Sequence, residues 1–374
     1  MPRMRSSRAR RALALLAATA LGLALSGCQS GSHGVETGPT AQVDLPPLTE
    51  LTPVEDPRAV EGPTTAVIGG PSIPPLEQTP EADLPVTVTS HDGAIETEVT
   101  VTDTSRIVPL SLSGSVGELV YSFGLGENVV GRDVSTNFPG TEDIPIVTHD
   151  GHSVSDEKLL MLSPTLIITD GSIGPTDVVL KLRDAGIPVV TVERAVDPES
   201  TYLAAQQIAD ALGIGDAAAE LNAAIERGIA EKEAEIRSLL PADESKLPRI
   251  AFLYVRGTAG VFYLFGEGSG VDSLIRSLGA IDVAEEIGWS GEKPMTEEAL
   301  VAMNPDIILV MTQGLESAGG VDGLLAAQPS ISLTAAGKHR RIIDVDDTLL
   351  FAGGTRIPDV IDGLARAVYA PDSL

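Results

Sequence analysis

The chain has 374 residues, more than one ordinary core needs, with 53 acidic residues against 25 basic ones and a formal net charge of −28. That balance argues against a nucleic-acid partner, because neutralising phosphates needs a basic face. A single cysteine excludes a disulfide framework and a thiolate metal site, and 43% hydrophobic residues fit a globular protein.

The N-terminus reads "MPRMRSSRARRALALLAATALGLALSGC". Five arginines precede an apolar run at residues 12–25, too short to span a membrane comfortably and placed as an export signal is. The run closes on Leu25-Ser26-Gly27-Cys28, which resembles the bacterial lipobox. It predicts a signal peptide over 1–27 and lipidation of Cys28, holding the protein at the outer face of the cell membrane by a lipid anchor only. Loss of the leader removes five of the 25 basic residues and no acids, leaving 20 against 53. From 28 to 85 the chain is rich in Pro, Thr, Glu and Gly, the composition of a disordered tether.

A hairpin follows in "VTVTSHDGAIETEVTV", with Asp92-Gly93 expected to supply the turn. Beyond it, apolar runs alternate with amphipathic stretches. "RIVPLSL", "DIPIVT", "TLIITDG" and "IPVVTVE" predict buried parallel strands, with "GSVGELVYSFGLG" and "PTDVVLKLRDAG" as crossover helices. A second set comprises "RIAFLYV", "DIILVMT" and "RRIIDVDD". The expected fold class is α/β, with lobes over 86–195 and 247–374.

The two lobes share a repeat. Residues 154–171 ("VSDEKLLMLSPTLIITDG") match 295–312 ("MTEEALVAMNPDIILVMT") at a constant offset of 141. Ser155 and Thr296 stand as helix N-caps, Glu157 and Glu298 in the first turns, and Pro164 and Pro305 just past the helix ends. Between the lobes, 196–241 reads as a helical linker. Asp197 caps its start, Gly213 and Gly215 interrupt it, and residues 216–240 form a helix of roughly 37 Å. One long helix joining two Rossmann-like lobes leaves a cleft, where a small ligand docks.

The site candidates are few. His149 and His152 lie in a turn between a predicted strand and a helix, on the rim where α/β folds hold ligands. Tyr254 and Arg256, two apart at the end of "RIAFLYVRG", point to one face. Burying such a pair without a partner is costly, which places it toward the cleft. A Tyr oxygen and a His nitrogen are both axial heme ligand types, and an arginine beside the tyrosine suits a carboxylate or a phenolate. Phe262, Tyr263 and Phe265 fit either a porphyrin floor or lobe core. Trp289 stands in a loop where it could touch ligand. His91 and His339 sit in polar turns, and His33 in the tether. "GEGSG" has the wrong spacing for a dinucleotide fingerprint. There is no G-x-x-x-x-G-K-[ST] and no G-x-S-x-G, so neither an ATPase nor another enzyme is expected.

Lipobox, tether, paired lobes and linking helix together resemble the substrate-binding lipoproteins of ABC importers for siderophores, cobalamin and heme. "RIVPLSLSGSVGELVYSFGLGENVVGRDVSTNFP", "IPIVTHDGHSVSDEKLLMLSPTLIITDGSIGP" and "RIAFLYVRG" resemble the actinobacterial hemin-binding subgroup. The resemblance implies a monomeric helical-backbone periplasmic-binding-protein fold that takes heme as its transported ligand. It implies His152 and Tyr254 as axial ligands of the heme iron, with Arg256 beside the tyrosine; His149, which is not at the "GH" position, and the loop residue Trp289 are expected as pocket support. Implied partners are hemin, an ABC permease with its ATPase, and other heme-carrier surface proteins. The permease is expected to read acidic residues on each lobe, Asp177 being one candidate. The alternatives are a ferric siderophore or cobalamin, for which Arg132 would add a second cation, and zinc or manganese held by His149 and His152.

Overall fold

Packing begins well before the expected end of the tether. In the computed structural model, which describes residues 45–149, 153–350 and 353–374, Leu48, Ile68 and Ile73 are buried in the main core. The leader, Cys28, His33 and His152 lie outside the described residues. The Val54 N–H donates to Tyr369 O (2.8 Å), Leu76 N–H to Ser122 O (2.8 Å) and Asp83 N–H to Gly213 O (2.9 Å). A two-residue strand, β1 (Thr64–Thr65), runs parallel beside Ile343 and Asp344. Residues 45–85 are therefore a strap across both lobes, where composition predicts tether. Composition averaged over the segment conceals this: prolines hold extended backbone, and a few well-spaced apolar side chains seat it.

Strands β2 (Val86–Asp92) and β3 (Ile95–Val101) form the expected hairpin. Its turn is one residue later than expected, at Gly93-Ala94, because Asp92 still pairs with Ile95 and Gly93 takes the left-handed φ of 70°. The N-terminal lobe continues with β4 (Ile107–Leu110), α1 (Ser115–Ser122), β5 (Thr148–His149), β6 (Ser153–Val154), α2 (Asp156–Leu162), β7 (Leu166–Thr169), α3 (Thr176–Asp184) and β8 (Val189–Thr191). Strands β4, β7 and β8 are parallel and buried throughout, which is why they read as unbroken apolar runs. "DIPIVT" yields only β5 and a single bridge from Ile146 to Arg132. Pro145, lacking an N–H, interrupts a ladder there.

Two helices make the linker, α4 (Pro198–Ala211) and α5 (Ala217–Ile236). Asp197 and Ser200 close a capping box on α4, and Pro198 fills its first position. The 20 residues of α5 span about 30 Å and stop at Ile236, short of the expected 240.

The C-terminal lobe holds β9 (Arg249–Arg256), β10 (Val261–Phe265), α6 (Val271–Ser277), β11 (Ile281–Asp282), α7 (Val283–Glu286), β12 (Glu292–Pro294), α8 (Glu297–Met303) and β13 (Ile307–Met311). It ends with α9 (Thr312–Ser317), α10 (Gly320–Ala327), α11 (Ala335–His339), β14 (Ile342–Val345), α12 (Asp347–Leu350) and α13 (Ile357–Tyr369). Its sheet runs β1-β14-β13-β9-β10-β12, with β9, β13 and β14 parallel and β10 folded back antiparallel on β9. The main core spans both lobes and takes in α5 and α13; two smaller clusters fill the other faces of the sheets.

Candidate functional site

Strand β9 sorts its side chains by alternation. Leu253 and Val255 enter the cluster on one face of the sheet, whereas Phe252 and Tyr254 lie on the face of the main core. Tyr263 stands directly opposite Tyr254 across the antiparallel pair, and Phe265 opposite Phe252. The Tyr254 ring stacks on Phe265 with centroids 6.1 Å apart at 16°, and Phe265 meets Phe252 edge-on at 5.0 Å. An aromatic ledge thus leads from the core to a half-buried phenol.

The phenol is not alone. Arg256 Nε donates to Tyr254 Oη at 2.8 Å, and the guanidinium carbon lies 5.0 Å from the centre of the tyrosine ring. Arg256 Nη1 lies 3.6 Å from Asp347 Oδ2. The Gln313 N–H donates to the other oxygen, Oδ1, at 2.8 Å. Burial pushes the Asp347 carboxyl up, against the Gln313 hydrogen bond and the Arg256 charge. Tyrosine, arginine and aspartate come from two strand ends on one edge, because β9 and β14 run the same way.

On the other lobe His149 is exposed and pairs with Ser153 across the short β5–β6 ladder. The turn it opens, with His152, lies outside the described residues. Both stems are fixed: Val154 N–H donates to Gly174 O and Ser155 N–H to Val147 O, each at 2.9 Å.

Other expected residues are placed elsewhere. Trp289 packs on the cluster of Leu253, Val255 and Leu264, on the opposite face of the sheet from Tyr254, and donates its indole N–H to Leu264 O at 3.0 Å. It cannot support a ligand held by Tyr254, and Phe262 shares its face. Arg132 is buried, with Nε donating to Thr141 O (3.0 Å) and Nη1 to Asp133 O (3.2 Å), so it does not offer a cation to a chelate. His91 and His339 are half-exposed beside Glu96 and Glu61. Asp177 lies near the start of α3, and its side chain is outside the described set. Gly270 (φ 89°) presses against the Val196 carbonyl where a Cβ would collide, so the "GEGSG" loop serves packing on the linker.

Asp347 is the residue that motif reading missed. The signal was present, since "RRIIDVDD" predicts a strand whose carboxyl end shares an edge with that of "RIAFLYV". Among the described residues no three of His, Cys, Asp and Glu converge as metal ligands, and no helix is long and apolar enough to cross a membrane.

The family model for periplasmic binding proteins matches residues 110–349. The ABC transporter substrate-binding lipoprotein YvrC of Bacillus subtilis (strain 168) is 28% identical over 293 residues, 77% of this chain and 87% of that protein. Among solved structures, the heme binding protein HmuT is 34% identical, covering 84% of this chain and 99% of its own, with a TM-score of 0.75. The periplasmic heme-binding protein RhuT from Roseiflexus sp. RS-1 is also 34% identical, covering 72% and 99% with a TM-score of 0.64. HmuT has further been solved with alanine in place of a tyrosine, a histidine or an arginine, the tyrosine and arginine standing two positions apart.

Proposed function

Because the chain belongs to the periplasmic binding protein family, we propose that it captures hemin in the cleft between its lobes and delivers it to the permease and ATPase of an ABC importer. The observation that carries this reading is the Tyr254–Arg256 pair, with Nε donating to the phenol oxygen at 2.8 Å. A phenolate is a hard anionic donor suited to ferric iron, and the adjacent guanidinium donates a hydrogen bond to its oxygen. The spacing of two is that of the tyrosine and arginine replaced in HmuT. His152 is the proposed ligand from the N-terminal lobe, with neighbouring His149 near the pocket.

The site would hold its cargo by ordinary forces. Tyr254, Tyr263 and Phe265 offer an apolar ledge for a flat macrocycle. Arg256, with its side chain 35% exposed, is the cation nearest the ligand oxygen. A ferric siderophore is disfavoured because Arg132 is committed to backbone carbonyls. Lipidation at Cys28 would keep the protein at the outer face of the membrane, as its lipobox and its likeness to a lipoprotein suggest.

Titration of the heme-free protein with hemin tests the reading. The expected result is a saturable Soret band that is weakened and shifted in Tyr254→Phe and in His152→Ala, with a smaller change in His149→Ala. Parent-like binding in both ligand variants would overturn the assignment. Tighter binding of a ferric chelate than of hemin would replace the cargo.

A further inference from the structure

Arg256 is a long side chain at an exposed strand end, and such a group ordinarily samples several rotamers. Here it is held at three points: Tyr254 Oη at Nε, the tyrosine ring beneath the guanidinium, and Asp347 at Nη1. Asp347 is well suited to the third. Its Oδ1 is committed to the Gln313 N–H at the start of α9, which fixes the carboxylate plane. Its Oδ2 is buried and accepts no hydrogen bond among the described residues, with Arg256 3.6 Å away. A buried carboxylate oxygen in that position favours keeping the guanidinium in place over releasing it to water.

We propose that Asp347 is a positioning residue that holds the Arg256 guanidinium so that its Nε–H stays aimed at the Tyr254 oxygen, and so sets how much electron density that oxygen offers to a ferric porphyrin. The effect on the ligand rests on the reading of Tyr254 as an iron ligand. A carboxylate beside an arginine has two conceivable effects, and they act in opposite directions. Holding the guanidinium strengthens the hydrogen bond to the phenolate and draws density off its oxygen. Merely screening the arginine charge returns density to it. The distance to Nη1, the nitrogen remote from the Nε–H···O bond, favours holding.

The test compares the mature chain with Asp347→Ala, Arg256→Ala and the double variant. In the hemin-loaded protein the tyrosinate-to-iron charge-transfer band should move to longer wavelength in Asp347→Ala. Arg256→Ala should move it the same way, and the double variant should move no further than Arg256→Ala. A shift to shorter wavelength, the screening outcome, overturns the proposal. In the heme-free protein, nitrogen-15 NMR of arginine side chains should show Arg256 Nε–H exchange accelerating roughly tenfold or more in Asp347→Ala, the size expected for losing a partly buried ion pair. Unchanged exchange also overturns it. If Tyr254→Phe leaves the hemin spectrum as in the parent, the iron-ligand reading fails, and the heme-free exchange measurement still decides the positioning. Asp347→Asn, equal in size, supplies the same comparisons if the alanine variant does not fold.

Discussion

Ser155 and Thr296 do the same work in two copies of one unit. Each accepts a backbone N–H three residues on, from Lys158 at 3.3 Å and Ala299 at 3.2 Å, and each opens a seven-residue helix. Both helices end at a left-handed residue that is not glycine, Ser163 (φ 47°) and Asn304 (φ 44°). The repeat therefore extends to backbone strain at its C-caps as well as to residue identity. Ser155→Ala and Thr296→Ala should each lower stability by about 1 kcal/mol. Ser163→Gly and Asn304→Gly, which relieve the strained φ, should leave stability unchanged or raise it. Urea unfolding of the four variants measures this, and equal losses in all four would remove the capping account.

The strap makes a separate prediction. Leu48 has no accessible surface and lies in the core shared by the lobes. Leu48→Ala should cost roughly 2–4 kcal/mol, a core-cavity loss that a tether residue would not produce. Limited proteolysis of the folded protein should spare residues 48–85. Cleavage there under native conditions would mean that the segment is not part of the folded body.

Legibility in this chain follows burial geometry. The central parallel strands are readable because both faces of β4, β7, β8 and β13 are covered, leaving apolar runs. Tyr254 and Arg256 were readable as a pair because strand alternation alone sends residues two apart to one face. Asp347 was not, since its contact with Arg256 depends on which strands become neighbours. Trp289 is not placed by its sequence, because a loop aromatic carries no periodicity to say which face it covers. The commitment of Arg132 is likewise hidden in the sequence: its carbonyl partners, from Thr141 and Asp133, are backbone groups and leave no trace in residue type.

A pH dependence follows from a carboxylate between the lobes. Glu118 of α1 is buried and accepts the Thr355 hydroxyl at 2.6 Å from the other lobe, with Arg356 and Asp359 facing it. Burial pushes its carboxyl up to about 7, against the attraction of Arg356 and the bond from Thr355. The folded state thus binds a proton more tightly than the unfolded state does. Stability should be fully present below the ordinary carboxylate range and fall as pH rises toward 7, by on the order of 3 kcal/mol from this group. Asp359, also raised by burial, to about 6, adds a fall of the same sign. Glu118→Gln, which keeps an acceptor for Thr355, should flatten the curve relative to the parent. A parent and variant with parallel stability profiles between pH 5 and 8 would exclude Glu118 as the source.

The duplicated helix starts also predict where the permease docks. Asp156 and Glu157 open α2, Glu297 and Glu298 open α8, and all four are exposed. Each lobe therefore presents one acidic pair at an equivalent position, a two-point pattern that a pair of basic patches could read. Exposed charges of this kind contribute to encounter and orientation more than to stability, so reversing them should leave the fold intact. Glu157→Lys and Glu298→Lys should each slow hemin delivery to permease in proteoliposomes, and the double variant should slow it most. The loss should be larger at low salt than at high salt, since screening weakens the contact in the parent as well. Hemin affinity of the isolated protein should change far less than delivery, because both side chains are exposed to solvent. Delivery that survives the double reversal at low salt would move the docking surface elsewhere, with Asp177 the next position to change.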